Sequence, residues 1–132
     1  MGAILPGRGT YDIVFDSAGR VNAGGFTFRF WLNDVTPPAV KLLGYRSGVL
    51  RLAITDRGSG VDPGSIIAGI DGNSNVNGSY ANGVLSVRTG SLSGGRHTVE
   101  VDVSDYQESK NMEDVLRILP NTRVFKTSFT VR

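Results

Sequence analysis

Arg96–Ser104 reads RHTVEVDVS, and its apolar and polar side chains alternate at every position from His97 to Val103. Successive side chains of a β-strand point to opposite faces, so the valines share one face while Thr98, Glu100 and Asp102 share the other. The stretch is therefore predicted to be a half-buried strand. The only histidine in the chain, His97, falls in phase with the valines, which makes it a residue of the sheet face.

The same alternation recurs in both directions along the chain. Glycine-containing turns separate the alternating segments, and glycine supplies 18 of the 132 residues, against a usual share of about 7%. Short strands punctuated in this way predict an all-β protein, specifically an immunoglobulin-like antiparallel β-sandwich. The further strands are predicted at Tyr11–Phe15, Phe26–Leu32, Val40–Leu43, Leu50–Ile54, Ser65–Ile70, Val84–Arg88 and Phe125–Val131.

A domain boundary is predicted at Asn33-Asp34-Val35-Thr36-Pro37-Pro38, because consecutive prolines stiffen an extended backbone and cannot donate to a sheet. Residues 34–132 then form the sandwich, and residues 1–33 form an N-terminal β-hairpin. An isolated hairpin is marginal in water. Residues 1–33 are accordingly expected either to pair with the sandwich or to be the tail of a preceding domain.

Composition excludes several classes of function. The chain has no cysteine, which rules out disulfides, thiol nucleophiles and Cys-ligated zinc. Its 14 basic and 12 acidic residues leave a net charge of only +2, which argues against a nucleic-acid partner. No apolar run approaches the roughly 18 residues of a membrane span, so no membrane insertion is expected. No motif marks a catalytic group, and the chain is predicted not to be an enzyme.

The stretch between the last two predicted strands, residues 105–122, is too long for a simple hairpin turn, which takes about 2–5 residues. Met112–Leu119 could form a helical turn with its apolar side chains packed inward, or the stretch could be an extended ribbon. Both readings are open at this point.

Three segments resemble bacterial immunoglobulin-like domains of the fibronectin type III or cadherin-like kind. They are Asn33–Pro38, the loop Thr55–Pro63 (TDRGSGVDP), and Val103-Ser104-Asp105 followed by Lys110-Asn111, where such domains tend to have Gly-Asn. The first hairpin is similar to the closing strands of the pre-peptidase C-terminal type of domain. The resemblance implies an accessory domain of a secreted or cell-surface bacterial protein, found C-terminal to subtilisin-like serine peptidases.

An oxygen-rich cluster is the sharpest candidate site. In an immunoglobulin-like order, the segment before the first strand and the loops after the second and sixth strands lie at one pole. Calcium takes about 6–8 oxygen ligands, so a calcium site is predicted there, although the fold needs no cofactor. In the alternative reading, Asp56 and Asp105 make Asx-turns and Asp34 caps the junction. The predicted ligands are Asp34, Asp56, Asp62, Asp105 and Asn111.

The predicted function is that of a non-catalytic extracellular module, a spacer, interdomain or adhesion domain whose partners are the neighbouring domains of its polypeptide. The alternative is a targeting module that binds polysaccharide or a cell-surface protein through the 105–122 loop. Flat amphipathic side chains suit such binding. The predicted binding residues are Tyr106, Glu108 and Trp31.

Overall fold

The computed structural model describes residues 9–12, 14, 19, 24–25, 27–31, 34–74, 76–90, 92–110 and 121–132. The chain divides into two units, Met1–Phe30 and Trp31–Arg132. The hairpin predicted for residues 1–33 lies largely outside the described residues, and those of its residues that are described form no strand. Everything that follows concerns the second unit.

The described residues of the second unit form seven strands, one 3₁₀ turn and one short helix. The strands are β1 (Ala39–Arg46), β2 (Val49–Thr55), β3 (Ile67–Ile70), β4 (Gly78–Ala81), β5 (Val84–Arg88), β6 (Gly95–Ser104) and β7 (Thr122–Val131); the 3₁₀ turn spans Pro63–Ser65 and the helix α1 spans Tyr106–Lys110.

The strands form two antiparallel sheets, one of four strands in the order β1-β2-β5-β4 and one of three in the order β3-β6-β7. This is the strand order of a constant-type immunoglobulin domain, ABED facing CFG. The prediction of an all-β, antiparallel sandwich is therefore confirmed, and β2, β5, β6 and β7 lie where the alternation placed them.

Three elements differ from the sequence-based expectation. Strand β4 was not predicted, because Gly-Ser-Tyr-Ala carries only one residue of high β propensity. Strand β3 begins two residues later than expected, since Pro63–Ser65 form the 3₁₀ turn. The long 105–122 stretch opens with helix α1. The helical turn or ribbon predicted for 112–119 lies outside the described residues.

One core cluster joins the two sheets. Every second residue of the central strands points into it, as period-two alternation requires. Burying each such aliphatic side chain contributes roughly 1.5–3 kcal/mol, which makes this cluster the main source of stability. Its buried members are Leu50, Leu52, Ile54, Val61, Ala68, Ile70, Leu85, Val87, Val99, Val101, Val103 and Phe129.

The two ends of β6 define two poles of the sandwich. The junction pole holds the C-terminal end of β6, the start of β7 and the lead-in segment, residues 34–38, that precedes β1. The far pole holds the start of β6 and the end of β7, where Gly95 pairs with Val131. The chain thus enters the sandwich at one pole and its last strand finishes at the other.

Candidate metal centre at the junction pole

Three carboxylates gather at the junction pole. Asp34, Asp56 and Asp105 each offer an oxygen, and the three oxygens lie within 4.8 Å of one another. They come from the lead-in segment, the loop after β2 and the end of β6, which the sequence analysis expected to converge. These three residues are called the carboxylate cluster below.

Asp56 is held by its own loop. Its Oδ2 accepts hydrogen bonds from the amides of Gly58, at 2.9 Å, and Gly60, at 2.7 Å. Gly60 has a φ of 88°, a conformation that glycine adopts without steric cost. The Asx-turn that the alternative reading assigned to Asp56 is therefore present, and it leaves the other carboxylate oxygen, Oδ1, out of the turn.

Asp34 ties the lead-in segment to the same loop. Its Oδ1 accepts from the Thr36 amide at 3.0 Å, and its Oδ2 accepts from the Ser59 amide at 2.7 Å. Burial opposes ionisation of Asp34, but these amide hydrogen bonds outweigh it and lower the pKa of the carboxyl. The carboxylate also packs directly on Gly58, where a β-carbon would overlap it. Glycine at position 58 is thus a steric requirement of the cluster.

Asp105 is the innermost member and caps helix α1. It is fully buried, and its Oδ1 accepts from the Glu108 amide at 2.8 Å. Its Oδ2 has no hydrogen-bond partner among the described residues. Burial, with the nearby charge of Asp34, raises the pKa of Asp105 to about 6. A buried carboxylate oxygen without a partner is costly, so it is the atom that a bound cation or proton would satisfy.

A layer of neutral polar side chains surrounds the carboxylate cluster. Asn121 is fully buried and donates from Nδ2 to the backbone carbonyl of Asp34 at 2.6 Å, while no described residue bonds to its Oδ1. Ser59 Oγ accepts from the amide of Gln107 at 2.9 Å. The Gln107 side chain in turn accepts from the indole N–H of Trp31 at 2.6 Å. These bonds join the lead-in segment to α1 and to the start of β7.

Sequence reasoning missed Ser59, Gln107 and Asn121. Their partners lie 25 to 87 residues away along the chain, and no local pattern marks such pairs. The buried uncharged amides of Gln107 and Asn121 next to a predicted acidic site would be a signal only once the topology was known.

The remaining predicted site residues that the structure describes lie outside the carboxylate cluster. Asp62 accepts from the Gly64 amide at 2.9 Å and caps the 3₁₀ turn. Glu108 accepts from the Asn121 amide at 3.2 Å, so it supports the polar layer. Tyr106 and Trp31 are half-buried at the same pole. Asn111 lies outside the described residues.

The carboxylate cluster concentrates negative charge without an internal counter-charge. Among the described residues, no lysine, arginine or histidine forms an ion pair with any of its members. Carboxylate and carbonyl oxygens are the ligands that Ca²⁺ prefers, and three carboxylates supply part of its usual six to eight oxygens. Chemically, the arrangement can hold either a hard divalent cation or a shared proton.

The far pole holds a second arrangement of ionisable groups around His97. Its Nδ1 lies 2.6 Å from Asp71 Oδ2, and its Nε2 lies 2.9 Å from the backbone carbonyl oxygen of Ser93. Both oxygens are hydrogen-bond acceptors, so the ring can donate to both only when both of its nitrogens are protonated. The hydrogen bond to Asp71 raises the pKa of His97 and lowers that of Asp71.

Comparison of the chain with protein families, with curated proteins and with solved structures finds no match. In the part of the chain that the structure describes, no helix has the length and apolar character needed to span a membrane.

Proposed function

We propose that residues 34–132 are a non-catalytic accessory domain of a multidomain secreted bacterial protein, and that the domain acts as a spacer whose junction pole binds calcium. The observation that carries the proposal is the carboxylate cluster itself. Asp34, from the segment that leads into the first strand, meets Asp56 and the buried, partly unpaired Asp105. A cation bound there would fix the lead-in segment to the sandwich.

The positions of the two chain ends support a spacer. The lead-in segment lies at the junction pole and β7 finishes at the far pole, so the long axis of the sandwich separates them. A domain with this geometry extends a polypeptide instead of folding it back. The resemblance to bacterial immunoglobulin-like domains adds the proposed setting: the cell surface or the extracellular medium, in a parent such as a subtilisin-like peptidase.

The environment of His97 supports a non-catalytic role. A histidine bonded to an aspartate is half of a serine-hydrolase triad. Here the other ring nitrogen faces the carbonyl oxygen of Ser93 instead of a hydroxyl. A carbonyl oxygen has no proton to lose and so cannot be activated as a nucleophile. We therefore assign His97 and Asp71 a structural role.

Thermal unfolding of the full chain in excess calcium and in excess chelator tests the metal site. A ligand that binds only the native state stabilises it, by about 3 kcal/mol at 100 times its Kd. We expect a higher Tm in calcium. Asp105→Asn keeps the shape of the side chain and the cap of α1 while removing the charge, so it should abolish the calcium response without lowering the Tm in chelator.

Asp62→Asn is the matched control, because Asp62 lies at the same pole but outside the carboxylate cluster, and asparagine is an equally good cap. It should leave the calcium response intact. Equal Tm values for the wild-type chain in calcium and chelator would remove the metal site from the proposal. Loss of the response in Asp62→Asn would show that the ligands are wrongly assigned.

The alternative function, a targeting module, is favoured by one contact. Trp31 bonds to Gln107, the neighbour of Tyr106, so two half-buried aromatic residues reach the same pole. Retention of the chain on insoluble neutral polysaccharides, abolished by Tyr106→Ala, would support this alternative over a spacer. Passage of both proteins without retention is the result that the spacer proposal expects.

A further inference from the structure

The charged side chains on the outer face of the four-stranded sheet are all positive. This face carries Lys41, Arg46, Arg51 and Arg88, all exposed, and is called the basic face below. Residues 39–55 and 78–90, which contain the four strands and their tight turns, include no aspartate or glutamate. The net charge of the whole chain is only +2, but all the charged residues of the basic face are positive.

The strand register places these cations in ordered rows. Residues paired across neighbouring strands share a face. Arg46 and Arg88 both pair with Val49, so they flank it at roughly 10 Å from each other, two strand spacings apart. Arg51 lies two residues beyond Val49 on β2, about 7 Å further along the strand. Lys41 pairs with Ala53, which lies two residues beyond Arg51, so it is about 7 Å further still. The cations thus form a regular strip along the sheet.

On the opposite sheet, by contrast, positively charged side chains contact other side chains of the protein. There Lys126 forms an ion pair with Glu100 at 2.9 Å, and Arg96 donates to Ser128 Oγ at 2.9 Å. No member of the basic face forms an ion pair with another described residue. Within the part of the chain that the structure describes, its four positive charges are therefore not neutralised.

We propose that the basic face binds an anionic polysaccharide, a partner that goes beyond the spacer function and does not depend on the carboxylate cluster. Charge complementarity selects the polyanion, and arginine forks match carboxylate and sulfate groups. Val49 lies between Arg46 and Arg88, and Leu43 is half exposed between Lys41 and Arg46. The row from Arg51 through Ser86 to Ser79 offers two hydroxyls to a sugar chain lying flat.

Other polyanions fit this surface less well. Single-stranded nucleic acid is held largely by stacking of bases on aromatic side chains. The two tyrosines of these strands, Tyr45 and Tyr80, are packed against the core and not on the basic face. Protein partners usually anchor on buried aromatic or aliphatic side chains, and the basic face offers few of these.

Binding of the full chain to polygalacturonate, with neutral dextran as the uncharged comparison, tests the proposal at low and moderate salt. We expect binding to polygalacturonate that weakens as salt rises, and none to dextran. The double variant Arg51→Gln, Arg88→Gln should weaken binding about tenfold or more, since each cation near an anionic surface contributes several-fold to affinity.

The matched control is Arg96→Gln, Lys126→Gln, which removes the same net charge from the opposite sheet. It should change the affinity less than twofold if the face, and not the overall charge, binds the polymer. An equal loss in both double variants, absence of binding at low salt, or binding to single-stranded DNA or anionic vesicles in preference to polygalacturonate would each overturn the proposal. Unaltered thermal unfolding of both variants confirms that they fold.

Discussion

The carboxylates at the two poles of the sandwich have opposite surroundings. At the far pole, Asp71 lies against His97, whose two ring nitrogens both face acceptors, so the negative charge has an internal counter-charge. At the junction pole, Asp34, Asp56 and Asp105 meet with no cation among the described residues paired to them. The first arrangement is complete in itself. In the second, the described residues supply no such counter-charge.

Among the substitutions considered, Gly58→Ala should lower the free energy of unfolding the most, and it acts at the junction pole. A β-carbon at position 58 would overlap the Asp34 carboxylate, and overpacking of this kind costs about 1–3 kcal/mol, to which displacement of a hydrogen-bonded charge adds. We expect a loss of about 3 kcal/mol in urea unfolding, together with loss of any calcium response. Gly94→Ala at the far pole has room for its methyl group and should cost far less. Similar losses in both variants would contradict the steric role assigned to Gly58.

In chelator, the stability of the chain should depend on pH, because no described cation neutralises the carboxylate cluster. The pKa of Asp105 is raised from 3.8 to about 6, so the folded state holds this proton more tightly. Its contribution is therefore complete below about pH 4 and is lost as pH rises through 6. We expect the wild-type chain to lose about 2 kcal/mol between about pH 4.5 and 7.5.

Asp105→Asn should lack this loss, because the amide does not titrate. The comparison of the two proteins by urea unfolding at both pH values isolates Asp105 from the other groups. Parallel pH profiles for wild type and variant would show that Asp105 is not the titrating group.

Trp31→Phe should lower the free energy of unfolding through its contact at the junction pole, where the Trp31 indole donates to Gln107. The substitution keeps an aromatic ring but removes the donor to Gln107 Oε1, and leaving a buried acceptor unpaired costs about 1–2 kcal/mol. Thermal unfolding measures the loss. Phe30→Leu, at an exposed neighbouring position, is the control and should be neutral. A neutral Trp31→Phe would mean that the indole contact is not maintained in solution.

His97→Gln should give the smallest effect, because the Asp71 side chain is 46% exposed. The raised pKa of His97 means that its contribution is present below about pH 6.5 and fades as pH rises through the folded value. The lowered pKa of Asp71 means that its contribution fades only below about pH 3.8. The stability difference between wild type and His97→Gln should therefore be larger near pH 5.5 than near pH 8.5. A difference independent of pH would argue against the imidazolium.

Alternation along single strands made most of the fold predictable. Strands β2, β5 and β6 each bury every second residue, and this signal is local. In β7 the alternation is weaker, and only Phe129 of its ten residues is buried. Strand β4 escaped because Gly-Ser-Tyr-Ala acquires its extended form from pairing with β5, a tertiary effect that overrides weak propensity.

The candidate site could be predicted only where the strand order determines which loops lie at the same pole. Asp34, Asp56 and Asp105 were predicted because the immunoglobulin-like order brings their segments to one pole. Asp62 was included on proximity in sequence, whereas its carboxylate caps the 3₁₀ turn. The pairing of His97 with Asp71 had no sequence signal, since it depends on the turn after β3 meeting the start of β6.

The antiparallel pairing of β1 with β2 has a mechanical consequence. Because the chain enters at the junction pole and β7 finishes at the far pole, tension along the polypeptide would act parallel to the strands. Seven residue pairs join β1 to β2 and ten join β6 to β7. Such a load shears many hydrogen bonds together instead of opening them one at a time, and forced unfolding depends on the rate of that step. The pairing of these strands would therefore resist lengthening of the sandwich under such a load.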